Sequence, residues 1–130
     1  MEIVIDTSAI IAVLTNEPDR SRILAATQGA RLHAPRSLHW EIGNAFSAMF
    51  KQRRITLEQA QEALRLYQRI PLQFIDVALP RAVDLAAQLK IYAYDAYILV
   101  CAQQLGKPLL SIDAGLLRVA KELGLSVVEI

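Results

Sequence analysis

Four carboxylates stand where the pattern of this chain changes. Asp6, in "MEIVIDTSAII", ends the β-branched run Ile3–Ile5 and is followed by two hydroxyls, Thr7 and Ser8. Asp113, in "PLLSIDAGLL", repeats that arrangement. Asp95, in "YDAYILVCAQQ", precedes an apolar stripe of Ile98, Leu99 and Ala102. Glu41, in "SLHWEIGNAFSAM", falls about 60° from Leu38 on a helical wheel, at the edge of an apolar face and not opposite it. Each acid has a structural explanation: Asp6, Asp95 and Asp113 could cap helices, and Glu41 could be a first-turn acid favoured by the helix dipole. Together they suggest chemistry. Carboxylates gathered in one crevice repel each other and raise their own pKa values unless a cation neutralises them. Hard oxygen donors without histidine or cysteine select Mg²⁺ or Mn²⁺ over zinc. Such an ion among carboxylates serves in-line attack of water on a phosphodiester, so Asp6 reads as a metal ligand.

The elements must bring these acids together. Strands are predicted at Glu2–Ile5, Arg31–Ala34, Gln73–Asp76, Leu109–Ile112 and Val127–Ile130. Helical patterns occupy Ala9–Leu14, Arg20–Gln28, Leu38–Arg53, Leu57–Arg69, Pro80–Leu89, Ala96–Leu105 and Gly115–Leu123. Thr56 reads as an N-cap, and Gly29, Gly106 and Gly124 stand where helices should end. Alternating strands and helices predict an α/β fold with a parallel sheet covered on both faces. Ligands of such sheets bind beyond the carboxyl ends of the strands, where Asp6 and Asp113 would lie. Asp76 also follows an apolar strand, but no helix starts there and no polar partner is nearby. It reads as a strand-end surface acid.

Length and composition narrow the class. The 130 residues suit one domain, 1–130. A 54% hydrophobic and 21% charged composition describes a folded chain. The apolar run Ala96–Ala102 is far short of the roughly 18 residues a membrane span needs. Glu2 and Asp6 stand where a secretory signal would be basic. One cysteine and two histidines make neither a disulfide nor a zinc motif, so a cytoplasmic protein is expected. Setting the four acids aside leaves nine against 14 bases, a basic exterior suited to a phosphate backbone.

The pieces "IVIDTSAIIAVL", "APRSLHWEIGNAF", "YDAYILVCAQQLGKPLLSID" and "GLLRVAKELGLSVV" together resemble the PIN-domain ribonucleases, in particular the VapC toxins of toxin–antitoxin pairs. The likeness covers essentially the whole chain. It implies a three-layer α/β/α sandwich around a parallel sheet of about five strands. It also implies a metal-dependent endoribonuclease that cuts structured RNA, often transfer RNA, and stops translation. A small VapB-type antitoxin would cover the acidic site, and the chain would form homodimers or toxin–antitoxin hetero-oligomers. Asp6, Glu41, Asp95 and Asp113 match the family's acidic quartet. Asp6 and Asp95 would be the main Mg²⁺ ligands (Mn²⁺ substituting), with Glu41 and Asp113 completing the shell. Ser8 and Ser111 match polar positions that would orient carboxylates or waters. The family often has threonine where Ser111 stands.

Other residues admit simpler roles. His33 and His39 are the only candidates for a metal-free ribonuclease, and they read as a strand and a helix-face residue. Lys51–Arg54, Arg20, Arg22, Arg36, Arg65 and Arg69 could contact phosphate or simply be solvated. Tyr92, Tyr94 and Tyr97 could stack on a base or pack at a rim. Trp40 and Cys101 read as core. Ile55, Leu57, Ala60, Leu64 and Tyr67 leave one helix apolar enough for a dimer or antitoxin surface. Two rival functions remain: an aspartyl phosphotransfer enzyme, for which Ser8 stands where a second acid would be wanted, and a non-catalytic binding module on the same scaffold.

Overall fold

The β-branched run at the N-terminus forms β1 (Glu2–Ile5), whose Ile3, Val4 and Ile5 are almost fully buried. Because side chains alternate across a strand, Ile3 and Ile5 join one apolar cluster while Val4 joins another. The strand therefore lies between two cores. In this computed structural model, which describes residues 1–130, the chain continues through α1 (Thr7–Leu14), α2 (Arg20–Thr27), β2 (Arg31–Pro35), α3 (Ser37–Lys51), α4 (Leu57–Gln68), β3 (Leu72–Ile75), α5 (Leu79–Leu89), α6 (Ala93–Leu105), β4 (Leu109–Leu110) and α7 (Ala114–Glu122).

The four strands form one parallel sheet in the order β3-β2-β1-β4. Ile10, Leu38, Ile42, Phe46, Ala60 and Ala63 bring α1, α3 and α4 against one face. Ala82, Leu85, Ile98, Leu99, Leu116 and Ala120 bring α5, α6 and α7 against the other. This is the α/β/α layering expected of the sequence. Within α6, Ile98 through Ala102 are all buried, which explains an apolar run with no polar face. Gly106 ends that helix in the left-handed region (φ +62°), its N–H donating to Ala102 O at 2.9 Å. No helix is long and apolar enough to cross a membrane.

Three expectations need correction. The fifth strand does not form: Val127 makes one parallel bridge to Leu109, although Val127 and Val128 still alternate between the two cores. β4 stops at Leu110, which pairs with Ile5, the last residue of β1, and beyond it the Ser111 hydroxyl donates to Asp6. Trp40 is not core but 70% exposed; α3 buries Leu38, Ile42, Phe46 and Met49, and Trp40 points about 200° away from Leu38. Asp76 is a surface acid, as read, but it has a partner: Arg36 Nε donates to it at 2.9 Å.

Candidate active site

The carboxyl ends of the strands meet a pocket of about 130 Å³ lined by Asp6, Glu41, Asp95 and Asp113. Four separate elements deliver them. Asp6 leaves β1 and caps α1, accepting the Ala9 N–H at 3.1 Å. Asp113 follows β4 and caps α7, accepting the Leu116 N–H at 3.1 Å. Capping and facing the pocket are thus the same geometry for both, because the cap places a carboxylate at the mouth of the sheet.

The other two acids do not take the structural roles their sequence positions suggested. Asp95 lies in the first turn of α6 without capping it: the helix begins at Ala93, Tyr92 precedes it, and no side chain caps it. Half-buried, the Asp95 carboxylate takes part in no hydrogen bond or ion pair with the protein. Glu41 is the fifth residue of α3, beyond the first turn. Its one hydrogen bond comes from Thr7 Oγ1 at 3.1 Å. Ser37 Oγ, one turn earlier on α3, stops short of a hydrogen bond to it and is buried without a partner.

Asp6 is the most enclosed. Ser111 Oγ donates to its Oδ2 at 2.7 Å, and Ser8 Oγ lies 2.8 and 2.9 Å from its two oxygens. The same hydroxyls accept backbone N–H groups, Ser8 from Ile112 at 3.3 Å and Ser111 from Asp113 at 3.0 Å. The serines therefore tie the turn after β4 to the Asp6 carboxylate. Thr7 and Tyr94 also line the pocket. Thr7 was legible only as a hydroxyl beside Asp6, since nothing in sequence linked it to Glu41.

Burial pushes the Asp6 carboxyl up to about 6, against its hydrogen bonds from Ser111, Ala9 and Ser8, and the charge of Asp113 adds to the rise. Burial likewise raises Glu41, opposed by the hydroxyls of Ser37 and Thr7 and reinforced by the charges of Asp6 and Asp95. Asp95 is raised by burial and then by Asp113. The acids therefore act on one another electrostatically across the pocket. No three of them converge tightly enough to grip an ion as they stand. The donor set itself fits a hard divalent cation: four carboxylates, with no histidine or cysteine in the lining.

The histidines lie elsewhere. His33 is buried in β2 with Nε2 3.0 Å from Glu2, and His39 pairs with the Tyr67 hydroxyl at 3.0 Å. Neither lines the acidic pocket.

Residues 3–122 match the family model of the PIN domain. The chain belongs to the PIN-domain family. No curated protein sequence matches it significantly. Among solved structures, PAE2754 from Pyrobaculum aerophilum superposes with a TM-score of 0.70 at 19% identity, covering 91% of this chain and 78% of the other. VapBC2 from Rickettsia felis, bound to a DNA fragment from their promoter, gives 0.68 at 16% identity, covering 99% and 98%. VapBC-1 from nontypeable Haemophilus influenzae gives 0.64 at 20% identity, also covering 99% and 98%. At these identities the likeness is one of fold, and it extends over nearly the whole PIN domain described here.

Proposed function

We propose that this PIN domain is a Mg²⁺- or Mn²⁺-dependent endoribonuclease of the VapC toxin type, acting in the cytoplasm on a structured RNA such as transfer RNA to halt translation. A VapB-type antitoxin would neutralise it, and it would work as a homodimer or within a toxin–antitoxin hetero-oligomer. One observation carries the catalytic part: Asp95 has no structural partner, yet it shares a pocket with three other carboxylates. Membership of the PIN family and the VapBC names of two structural relatives support the toxin part.

Asp6 and Asp95 would hold the cation, with Glu41 and Asp113 completing its shell. When bound, such an ion offsets charge on the phosphate oxygens and eases the ionisation of water. Ser8 and Ser111 fix the rotamer of Asp6, and Thr7 fixes Glu41. Glu41 or Asp113 would orient the attacking water or take its proton. Leu38, Ile98 and Leu116 exclude bulk water from the walls. Attack by water leaves a 5′-phosphate and a 3′-hydroxyl, whereas a histidine route through the 2′-hydroxyl would leave a cyclic phosphate.

Sequencing fragment ends from total cellular RNA, after incubation with Mg²⁺, Mn²⁺ or EDTA, tests this reading. Metal-dependent cuts bearing 5′-phosphates are expected. Cyclic-phosphate ends, or equal cleavage in EDTA, would refute it. A non-catalytic module draws on the spread of the carboxylates, and it predicts no cleavage in any arm.

A further inference from the structure

We propose that a second cleft, beside the acidic pocket, is a phosphate-binding subsite for the RNA strand, with Arg118 as its cation. The inference rests on the nuclease reading, and it specifies where the substrate lies. The cleft measures about 200 Å³ and shares Asp95, Asp113 and Leu116 with the acidic pocket, so the two depressions adjoin across those side chains. Ile91, Leu99 and Val119 give it an apolar floor.

Arg118, exposed on α7, is the only basic residue lining either depression. It makes no ion pair and no hydrogen bond with the protein, although two carboxylates line the same cleft. A guanidinium held apart from nearby acids keeps all five N–H donors for an outside anion, and its planar fork suits phosphate oxygens. The signs also fit. Four carboxylates repel a phosphodiester except through a cation, whereas a flanking phosphate of the same strand meets a positive charge one cleft away. The apolar floor suits a ribose or base face without reading sequence.

Gly115 supports the join between the depressions. Of the five glycines, it is the only one where an added Cβ would touch anything, lying 3.3 Å from Asp113 Oδ1. The missing side chain leaves room for the Asp113 carboxylate, which both depressions share, against the first turn of α7.

The test uses the full chain and a short fluorescein-labelled oligouridine. Anisotropy across a KCl series compares Asp6→Asn with Asp6→Asn/Arg118→Ala, so that nothing is cut during binding. Removing Arg118 should lower RNA affinity several-fold. It should also reduce the slope of log affinity against log salt by about 0.7, the value for one phosphate on a single strand. Arg118→Lys should keep the slope, and Arg31→Ala, at the far end of β2, should leave it unchanged. In the otherwise wild-type enzyme, Arg118→Ala should raise KM several-fold, hold kcat and leave Mn²⁺ affinity as it was. An unchanged slope, or the same change in Arg31→Ala, would overturn the proposal. Tighter Mn²⁺ binding by Arg118→Ala would also overturn it, because the arginine would then be serving the acids. If wild type cuts no RNA but the slope still falls with Arg118→Ala, the nuclease reading fails and the subsite stands.

Discussion

Asp6 combines near-complete burial with a charge, and its surroundings set the consequences. Its folded pKa lies near 6, above the ordinary value of 3.8, so between those values the folded chain holds a proton that the unfolded chain has released. Stability therefore falls as pH rises through that window, by about 3 kcal/mol for a shift of this size. Urea denaturation in EDTA should show this decline from pH 4 to 7, and Mn²⁺ should remove most of it; a rise over the same range would contradict a buried, unneutralised Asp6. Ser111→Ala removes a buried donor to Asp6 and an acceptor for the Asp113 N–H. It should cost about 1–3 kcal/mol and push the Asp6 carboxyl higher still. Mn²⁺ titrations should then show weaker binding at pH 6 that recovers at pH 8. Asp6 and Asp113 were legible because a β-branched run ending in an acid before a helix leaves few other readings. Asp95 was legible as an acid but not as an uncapped one. The Asp itself reads as a cap, and only the start of α6 at Ala93 shows that its carboxylate lies in the first turn without capping the helix. Trp40 was legible as outward-facing from its place about 200° from Leu38, and only its hydrophobicity suggested core.

Among the elements, sequence was most informative where local chemistry decides the boundary. β1 begins and ends as its residues predict, and the Thr56 N-cap of α4 is present as a full capping box with Gln59. Thr56→Ala should lower stability by about 1 kcal/mol in urea melts without changing cleavage, since α4 contributes nothing to the acidic pocket. β4 and the missing fifth strand were less legible, because tertiary demands decided them. Ser111, just past Leu110, serves Asp6, and the tail keeps strand-like alternation while making only one bridge. Gly115→Ala separates stability from function. Alanine is the better helix former, by less than the about 1 kcal/mol of a helix interior because Gly115 lies in the first turn, while its Cβ would crowd Asp113. We expect unchanged or higher stability, measured by thermal melting, with cleavage reduced several-fold. Full activity would mean that Asp113 tolerates displacement.

At the scale of the whole molecule, the sheet does what no single element can. Asp6 and Asp113 leave adjacent strands, Glu41 descends from the layer over one face and Asp95 rises from the layer over the other. Residues far apart in sequence meet because parallel strands put their carboxyl ends together. Sequence revealed the layers and the acids, and the fold supplied their meeting; what sequence could not supply was the second cleft, which depends on how α7 lies beside α6. The net charge of +1 conceals this division into an acidic pocket and a basic exterior. The most direct test of the carboxylate site is Mn²⁺ binding, measured alongside RNA cleavage, for wild type, Asp6→Asn and Asp95→Asn. Binding and cleavage should fall together in both variants, by at least tenfold if each carboxylate holds the ion. Cleavage that survives EDTA, or persists at wild-type rate in both variants, would mean that the acids are structural and that the RNA is cut elsewhere.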